Sequence, residues 1–302
     1  MNAAVQDKFQ GAMTAIVTPF DEGGSVDIAA LEAIVDWQIE QGIDGLVPCG
    51  TTGEGATLTD DESRQVIAAV VRRSNGRVPV VAGCGSNATT KTLEGARRAA
   101  GEGANALLVV TPYYNKPNAS GMIAHYEAVA AATELPVVVY NVPGRTGQNL
   151  GAEMILRLAQ IDGVVAVKEA SADLEQIAAV IERRPAGFAV LSGDDALALP
   201  TVALGAEGII SVASNAAPAE MAALIRAARA GELDRARELH YRLLPLMRAA
   251  FLETNPVPIK SAMESLGLCS ARVRAPLGEP TDATVRAMRD ALKFSLSREL
   301  AH

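Results

Sequence analysis

The stretch that decides the fold is Val165-Ala-Val-Lys-Glu-Ala-Ser171, an alternating, β-branched run that reaches Lys168 just before a polar turn. Such a run predicts a buried strand of a parallel sheet. A lysine is unexpected there, because taking its charge out of water costs several kcal/mol unless the amine is paired or neutral. Two interpretations are open: Lys168 forms an ion pair with Glu169 or another acid at the strand end, or its amine has a chemical role.

Short apolar runs of the same kind recur along the chain and alternate with amphipathic helical patterns. The eight candidate strands begin at Met13, Gly45, Val78, Ala106, Leu135, Gly163, Phe188 and Gly208. Alternation at intervals of roughly 20 to 35 residues is typical of βαβ units, and eight such units predict an α/β fold of the (β/α)8 TIM-barrel type. The alternative is a doubly wound open sheet. It is disfavoured because no G-x-G-x-x-G motif follows the first strand.

The strand signal ends after about Ala219, and the remaining sequence has the pattern of amphipathic helices interrupted by a turn at Pro256 and Pro258. We therefore predict a catalytic barrel over residues 1–225 and a C-terminal helical region over residues 226–302.

Composition excludes several classes of partner. The 302 residues are 49% hydrophobic and carry a net charge of −8 without a basic run, which argues against binding to nucleic acid or to an anionic membrane. No apolar run approaches the roughly 20 residues that span a bilayer, and the N-terminus lacks the apolar core of a signal peptide. We expect a cytoplasmic protein with small-molecule partners.

The cysteines and histidines predict neither a disulfide framework nor a metal site. Three cysteines are widely spaced without a C-x-x-C pair, and the three histidines form no ligand cluster. A metal-dependent aldolase is disfavoured for the same reason.

In a barrel of this type the chemistry lies at the carboxyl ends of the strands. The second strand ends in "CGTTGEGAT", where three glycines free the backbone to turn its amides inward and Thr51 and Thr52 add two hydroxyls. Such a loop can bind a small carboxylate. The alternative is a tight turn in which a threonine only caps the next helix.

Aromatic and basic residues follow the fourth and fifth strands. Tyr113, Tyr114 and Tyr140 are three of the five tyrosines, and all follow apolar runs directly. Each could instead pack with its hydroxyl at the rim of the barrel. Arg145 is suited to bidentate binding of a carboxylate, although a surface ion pair is the more common use of an exposed arginine.

A chemical role explains Lys168. Burial favours the neutral amine, which can attack a carbonyl carbon and form a Schiff base. The iminium withdraws electrons, so that a bound 2-oxo acid loses a proton and the resulting enamine attacks an aldehyde. A phenol assisted by neighbouring hydroxyls is a suitable proton shuttle for these steps.

Four motifs, "GTTGE", "TPYYNKP", "YNVPGRTG" and "VKEAS", occur in an order and at intervals that resemble the dihydrodipicolinate synthase (4-hydroxy-tetrahydrodipicolinate synthase) family of class I pyruvate-dependent aldolases. The resemblance covers essentially the whole chain. It implies condensation of pyruvate with L-aspartate-4-semialdehyde to 4-hydroxy-tetrahydrodipicolinate, on the route to diaminopimelate and lysine. It also implies that no cofactor is needed, because the covalent intermediate forms on the lysine itself.

Carried over to this sequence, the resemblance implies that Lys168 forms the Schiff base and that Tyr140 gives and takes protons beside it. Thr51 and Tyr114 would complete the proton relay, with Tyr114 reaching in from a neighbouring subunit. The family is usually a homotetramer, a dimer of tight dimers, and a shared relay would require at least a dimer.

The resemblance also implies the substrate contacts. Thr52, the loop amides and Ile210 would hold pyruvate, and Arg145 would bind the carboxylate of the aldehyde. Another Schiff-base lyase, such as an N-acetylneuraminate lyase or a 2-keto-3-deoxy sugar-acid aldolase or dehydratase, could use the same lysine and tyrosine. The Thr51-Thr52 pair and the arginine of "GRTG" favour the synthase. A barrel that only binds a 2-oxo acid or a protein is less consistent with so complete a set of polar residues.

Feedback-inhibited members of the family bind L-lysine at the tight-dimer interface. Asn87 and Tyr113 match that pattern in this sequence. The position that is acidic in the inhibited members is occupied here by Lys91, and Asp60 and Ser63 stand where histidines are usual. A lysine effector would meet a like charge. We therefore predict weak inhibition or none.

Overall fold

The computed structural model describes residues 9–296, and eight strands occur in this range. They are β1 (Gly11–Thr14), β2 (Gly45–Leu46), β3 (Val81–Gly83), β4 (Ala106–Val110), β5 (Val137–Asn141), β6 (Val164–Glu169), β7 (Ala189–Ser192) and β8 (Gly208–Ser211). Seven lie within an apolar run identified in the sequence, and β1 begins two residues before its run. The predicted number and positions of the strands are confirmed.

Helices follow the strands in the order expected of βα units. They are α1 (Ile28–Glu40), α2 (Asp60–Ser74), α3 (Thr89–Gly101), α4 (Ala119–Ala130), α5 (Pro143–Thr146), α6 (Ala152–Leu158), α7 (Leu174–Arg183), α8 (Ala198–Ala203), α9 (Pro218–Arg229), α10 (Leu233–Ala249), α11 (Val257–Ser265) and α12 (Asp282–Leu296). Thr59 and Glu62 form a capping box at the start of α2.

All strand pairs are parallel, and the strands are arranged in the order β2-β1-β8-β7-β6-β5-β4-β3. A parallel bridge between Leu46 and Val80 joins the two edges, so the sheet closes into a barrel. The TIM-barrel prediction is confirmed, and the open sheet is wrong. Since one bridge makes this closure, the seam between β2 and β3 has the least backbone pairing of the ring.

Alternation along each strand divides the apolar residues into two cores. One lies inside the barrel and the other lies between the sheet and its helices. On β5, Val138 and Tyr140 point inward, whereas Val137 and Val139 pack beneath the helices. On β6, Val167 belongs to the outer core, so the next side chain, that of Lys168, points into the barrel.

The C-terminal helices pack as predicted after the barrel. Helix α9 runs across the predicted boundary between residues 225 and 226. Helix α11 is buried on almost every side, as its seven consecutive buried residues Val257–Met263 show. Within residues 9–296 no helix is long and apolar enough to cross a membrane.

Candidate active site

Lys168 and Tyr140 lie side by side at the carboxyl ends of adjacent strands. Register pairing places them opposite each other on β5 and β6, and the Lys168 Nζ lies 4.3 Å from the centroid of the Tyr140 ring. The lysine is 5% exposed and the tyrosine 6%. No carboxylate of residues 9–296 forms an ion pair with Lys168, so its pairing with Glu169 is excluded.

Glu169 points out of the barrel and has other partners. Its carboxylate accepts hydrogen bonds from the Asn141 side chain at 3.0 and 3.1 Å, from the Ser171 amide at 2.7 Å and from the Gln176 side chain at 3.1 Å. Burial raises the pKa of Glu169 above its usual range, and these donors oppose the shift. Because Asn141 and Glu169 are also in register, this contact holds β5 and β6 in the alignment that places Tyr140 beside Lys168.

Gly193 leaves room around the lysine. A Cβ atom at this position would lie 3.2 Å from the Lys168 Cε and 2.6 Å from the Ala170 Cβ. The second contact is too close for two carbon atoms, so a side chain here would displace the end of β6. A glycine after β7 therefore keeps space open beside the amine.

The loop after β2 is tightly folded around Cys49. The backbone at Cys49 and Glu54 is in the left-handed region, and a Cβ at Gly55 would overlap the Cys49 carbonyl oxygen. Among the described residues, no hydrogen bond uses the amide N–H of Thr51 or Thr52. The loop thus offers backbone donors and the hydroxyl groups expected for a carboxylate site.

A segment between α10 and α11 connects this loop to Arg145. The Asn255 Nδ2 donates to the Thr52 Oγ1 at 2.9 Å, and the Asn255 carbonyl oxygen accepts from the Arg145 Nη2 at 3.4 Å. Thr52 is buried, whereas Arg145 is exposed on the short helix α5. The structure therefore brings the two predicted carboxylate-binding residues to one neighbourhood through a residue that the sequence did not suggest.

Glu54 anchors the same loop to the C-terminal helices. Its carboxylate pairs with the Lys260 Nζ at 2.6 Å and accepts from the Arg274 amide at 2.8 Å. The Lys260 Nζ also donates to the Arg272 carbonyl oxygen at 2.6 Å and lies 4.2 Å from the centroid of the Phe20 ring. Burial lowers the pKa of Lys260, and the charge of Glu54 opposes that shift.

Tyr114 is not brought to Lys168 within the chain. It is 89% exposed, its φ is +75°, and its amide donates to the Thr146 carbonyl oxygen at 3.3 Å. Neither Tyr114 nor Thr51 forms a side-chain hydrogen bond to Tyr140 in the described residues. Within one chain, the expected three-residue relay is therefore incomplete.

The remaining predicted residues lie in two places. Ile210 is buried inside the barrel in the same apolar cluster as Tyr140. Asn87, Lys91 and Tyr113 lie on the surface or close to it, and so do the two positions on α2, Asp60 and Ser63. Asp60 pairs with the Arg98 side chain at 2.7 Å, so its carboxylate already faces a cation.

Comparison with known proteins shows which protein family the chain belongs to. The model of the Dihydrodipicolinate synthetase family matches residues 8–295. The chain belongs to this family. The family resemblance predicted from the four motifs is thereby confirmed.

Individual relatives in this family are similar over nearly their whole length. The 4-hydroxy-tetrahydrodipicolinate synthase of Maridesulfovibrio salexigens is 48% identical over 288 residues, which cover 95% of this chain and 98% of the relative. The crystal structure of dihydrodipicolinate synthase from Aquifex aeolicus superposes with a TM-score of 0.92 at 43% identity, covering 94% of this chain and 97% of that one. The lysine-bound structure from Cyanidioschyzon merolae has a TM-score of 0.92 at 39% identity and covers 95% and 98%.

Sequence reasoning missed Asn255, Lys260 and the role of Glu54 in this family member. A signal for Lys260 was present, because it is the one charged residue in the apolar run Val257–Met263. A lone cation on a helix buried all round requires a buried partner. Asn255 gave no such signal, since an asparagine before a proline is common in turns.

No cluster of three or more His, Cys, Asp or Glu side chains is placed to hold a metal ion in residues 9–296.

Proposed function

We propose that this chain condenses pyruvate with L-aspartate-4-semialdehyde to give 4-hydroxy-tetrahydrodipicolinate through a Schiff base on Lys168. The observation that carries the proposal is the buried Lys168 amine beside Tyr140, with which no carboxylate of residues 9–296 forms an ion pair. Family membership supports the same reaction. We place the protein in the cytoplasm and the reaction on the route to diaminopimelate and lysine.

The reaction needs no group beyond the chain and its substrates. The neutral Lys168 amine attacks C2 of pyruvate, and the carbonyl oxygen leaves as water to give an iminium ion. Loss of a C3 proton gives the enamine, which attacks the aldehyde carbon of the second substrate, and the alkoxide takes up a proton. The amino group of the condensed molecule then displaces Lys168 at C2, which closes the ring and frees the lysine.

We assign the movement of these protons to Tyr140. Its ring adjoins the lysine amine at 4.3 Å, within the barrel mouth where the iminium and the enamine would form. The proton that Tyr140 takes from C3 has to reach the alkoxide or solvent, and Thr51 offers a hydroxyl in the loop after β2. We assign Tyr114 to the same relay in a neighbouring copy.

The exposure of Tyr114 supports this assignment to a second copy. A tyrosine that is 89% exposed in a left-handed backbone conformation presents a large apolar ring to water, and contact with another chain would bury it. We therefore propose a homo-oligomer, a tetramer built as a dimer of dimers, in which each site is completed across the tight dimer.

The two substrates would use different carboxylate receptors. Pyruvate would bind through Thr52 and the free amides of the loop after β2, with Ile210 against its methyl group. The carboxylate of the aldehyde would bind the planar guanidinium of Arg145, which lies at the exposed rim. This division leaves the reacting carbons between Lys168 and the rim.

The direct test is an assay of the purified protein with pyruvate and a panel of aldehydes. We expect rapid consumption of L-aspartate-4-semialdehyde, and little or no reaction with N-acetylmannosamine or glyceraldehyde, the acceptors of the related sugar-acid lyases. Preference for a sugar aldehyde would replace the proposed function with that of another class I lyase. No reaction with any aldehyde, together with no covalent pyruvate adduct, would leave a barrel that only binds.

A further inference from the structure

The hydrogen bond between Asn255 and Thr52 joins two buried side chains, at 4% and 2% exposure, that are distant in sequence. Asn255 Nδ2 is the donor, and the Thr52 Oγ1 is the acceptor at 2.9 Å. Within residues 9–296, the Thr52 side chain makes this one hydrogen bond. The Asn255 Oδ1 has no partner in that range.

The direction of this bond determines what the threonine hydroxyl can do. A hydroxyl has one hydrogen to donate and two lone pairs that accept. An amide nitrogen has only hydrogens, so it can occupy a lone pair of the Thr52 oxygen but cannot receive its hydrogen. The hydrogen is left to point elsewhere, and a carboxylate has only acceptors to offer.

We propose that Asn255 is a positioning residue which, by donating to the Thr52 oxygen, turns the Thr52 hydroxyl hydrogen towards the carboxylate of pyruvate. This inference rests on the proposed function, because it takes pyruvate as the ligand of the loop. Asn255 acts through Thr52 and makes no contact with the reacting carbons.

The position of Asn255 does not depend on this bond alone. Five residues further along, Lys260 is held by Glu54 at 2.6 Å, and Glu54 lies two residues beyond Thr52 in the same loop. The Asn255 carbonyl oxygen, a backbone atom, also accepts from Arg145. A change of the Asn255 side chain therefore leaves the segment attached to the barrel at both points.

The test is a double-mutant cycle of Asn255→Leu and Thr52→Val. Leucine is close in size to asparagine but cannot donate, and valine keeps the shape of threonine without its hydroxyl. Steady-state rates are measured against each substrate in turn, with circular dichroism to show that each variant is folded. Thr52→Val should raise the KM for pyruvate on the order of tenfold, because it removes a hydrogen bond to a charged group.

We expect Asn255→Leu to raise the KM for pyruvate severalfold in the wild-type background and to change it less than twofold in the Thr52→Val background. The KM for the aldehyde should stay within about twofold of wild type, because the backbone contact to Arg145 remains. Equal effects of Asn255→Leu in both backgrounds, or a larger effect on the aldehyde than on pyruvate, would overturn the proposal. So would an unchanged KM for pyruvate.

A folding defect would not leave the question open. If Asn255→Leu is not folded, Asn255→Ala takes its place in the same cycle and is judged by the same results. The proposed function fails separately, if the wild-type protein forms no borohydride-reducible adduct with pyruvate. If the wild-type protein forms the adduct but the effects of Asn255→Leu and Thr52→Val on the KM for pyruvate are additive, only the role of Asn255 is refuted.

Discussion

Two buried lysines lie near the carboxyl end of the barrel, and they differ in their partners. Lys168 and Lys260 are 5% and 0% exposed, and each lies over an aromatic ring, at 4.3 Å from that of Tyr140 and 4.2 Å from that of Phe20. Lys260 is paired with Glu54 and a backbone carbonyl oxygen. Lys168 has no such partner in residues 9–296.

This difference supports the proposal that Lys168 is the nucleophile and Lys260 a structural cation. Burial lowers the pKa of Lys260, and the carboxylate of Glu54 at 2.6 Å opposes that shift. No carboxylate of residues 9–296 pairs with the amine of Lys168, which lies over the Tyr140 ring. Burial without a counter-ion is therefore the observation that favours Lys168 over Lys260 for Schiff-base chemistry.

The strongest test of this contrast is to trap the Schiff base. Pyruvate followed by borohydride should leave one reduced adduct on Lys168 and none on Lys260, located by mass spectrometry of peptides. Lys168→Ala should lower kcat by about three orders of magnitude or more, because no other amine can replace the covalent step. A label on Lys260, or an active protein without any label, would refute the assignment.

The counterpart is to remove the charge of Lys260. Lys260→Met should lower the free energy of unfolding by about 3–5 kcal/mol, since it leaves the buried carboxylate of Glu54 without its cation. Denaturant unfolding measures the loss. The double variant Lys260→Met/Glu54→Gln should recover part of it, because no charge then remains buried at this position.

A matched control is the ion pair between Arg184 and Glu207, which is 2.6 Å long, partly buried and placed at the start of β8. Arg184→Met should lower stability without slowing the borohydride trapping of pyruvate. If Lys260→Met were as stable as wild type, the pair would not hold the loop.

Arg145 extends the comparison to a cation at the exposed rim. Arg145→Ala should reduce kcat/KM for the aldehyde by about two orders of magnitude, because a bidentate contact with its carboxylate is lost. Pyruvate trapping should proceed at the wild-type rate, since that substrate binds elsewhere. Arg145→Lys keeps the charge without the planar fork, so its kcat/KM for the aldehyde should lie between those of the wild type and Arg145→Ala. Equal damage to trapping would contradict this role.

The smallest effect is expected at a third lysine, Lys91, which is exposed. L-Lysine at millimolar concentration should inhibit weakly or not at all, because its ammonium would meet Lys91, and the carboxylate of Asp60 is already paired with Arg98. Initial rates at subsaturating pyruvate measure this. Strong, saturable inhibition would contradict the prediction, and inhibition that appears only in Lys91→Glu would support it.

The sequence predicted the barrel because local patterns carry the necessary information. Each strand is a short apolar run of its own, and Lys168 and Tyr140 end two neighbouring runs, so that closure of a parallel sheet brings them together. The family motifs supplied the roles of Thr51, Thr52 and Arg145, which spacing alone left open. Those roles remain predictions until they are measured.

What the sequence did not show depends on contacts between distant segments. Asn255 meets Thr52 across 203 positions and Lys260 meets Glu54 across 206, and no periodic pattern specifies such pairs. The exposure of Tyr114 was implied by the family resemblance and not by the local pattern, since an aromatic residue after a strand is usually packed. Pattern therefore located the barrel residues of the site, and tertiary contacts located the residues that support them.

These long separations have a consequence during synthesis. A ribosome makes all eight strands, including Lys168 and Tyr140, before it makes the segment that carries Asn255 and Lys260. Until that segment docks, Glu54 is a carboxylate in the barrel mouth with no cation, on a loop whose strand β2 is only two residues long. The nascent barrel is thus expected to hold its nucleophile before its carboxylate receptor is formed, so that a chain interrupted before α11 remains inactive towards pyruvate.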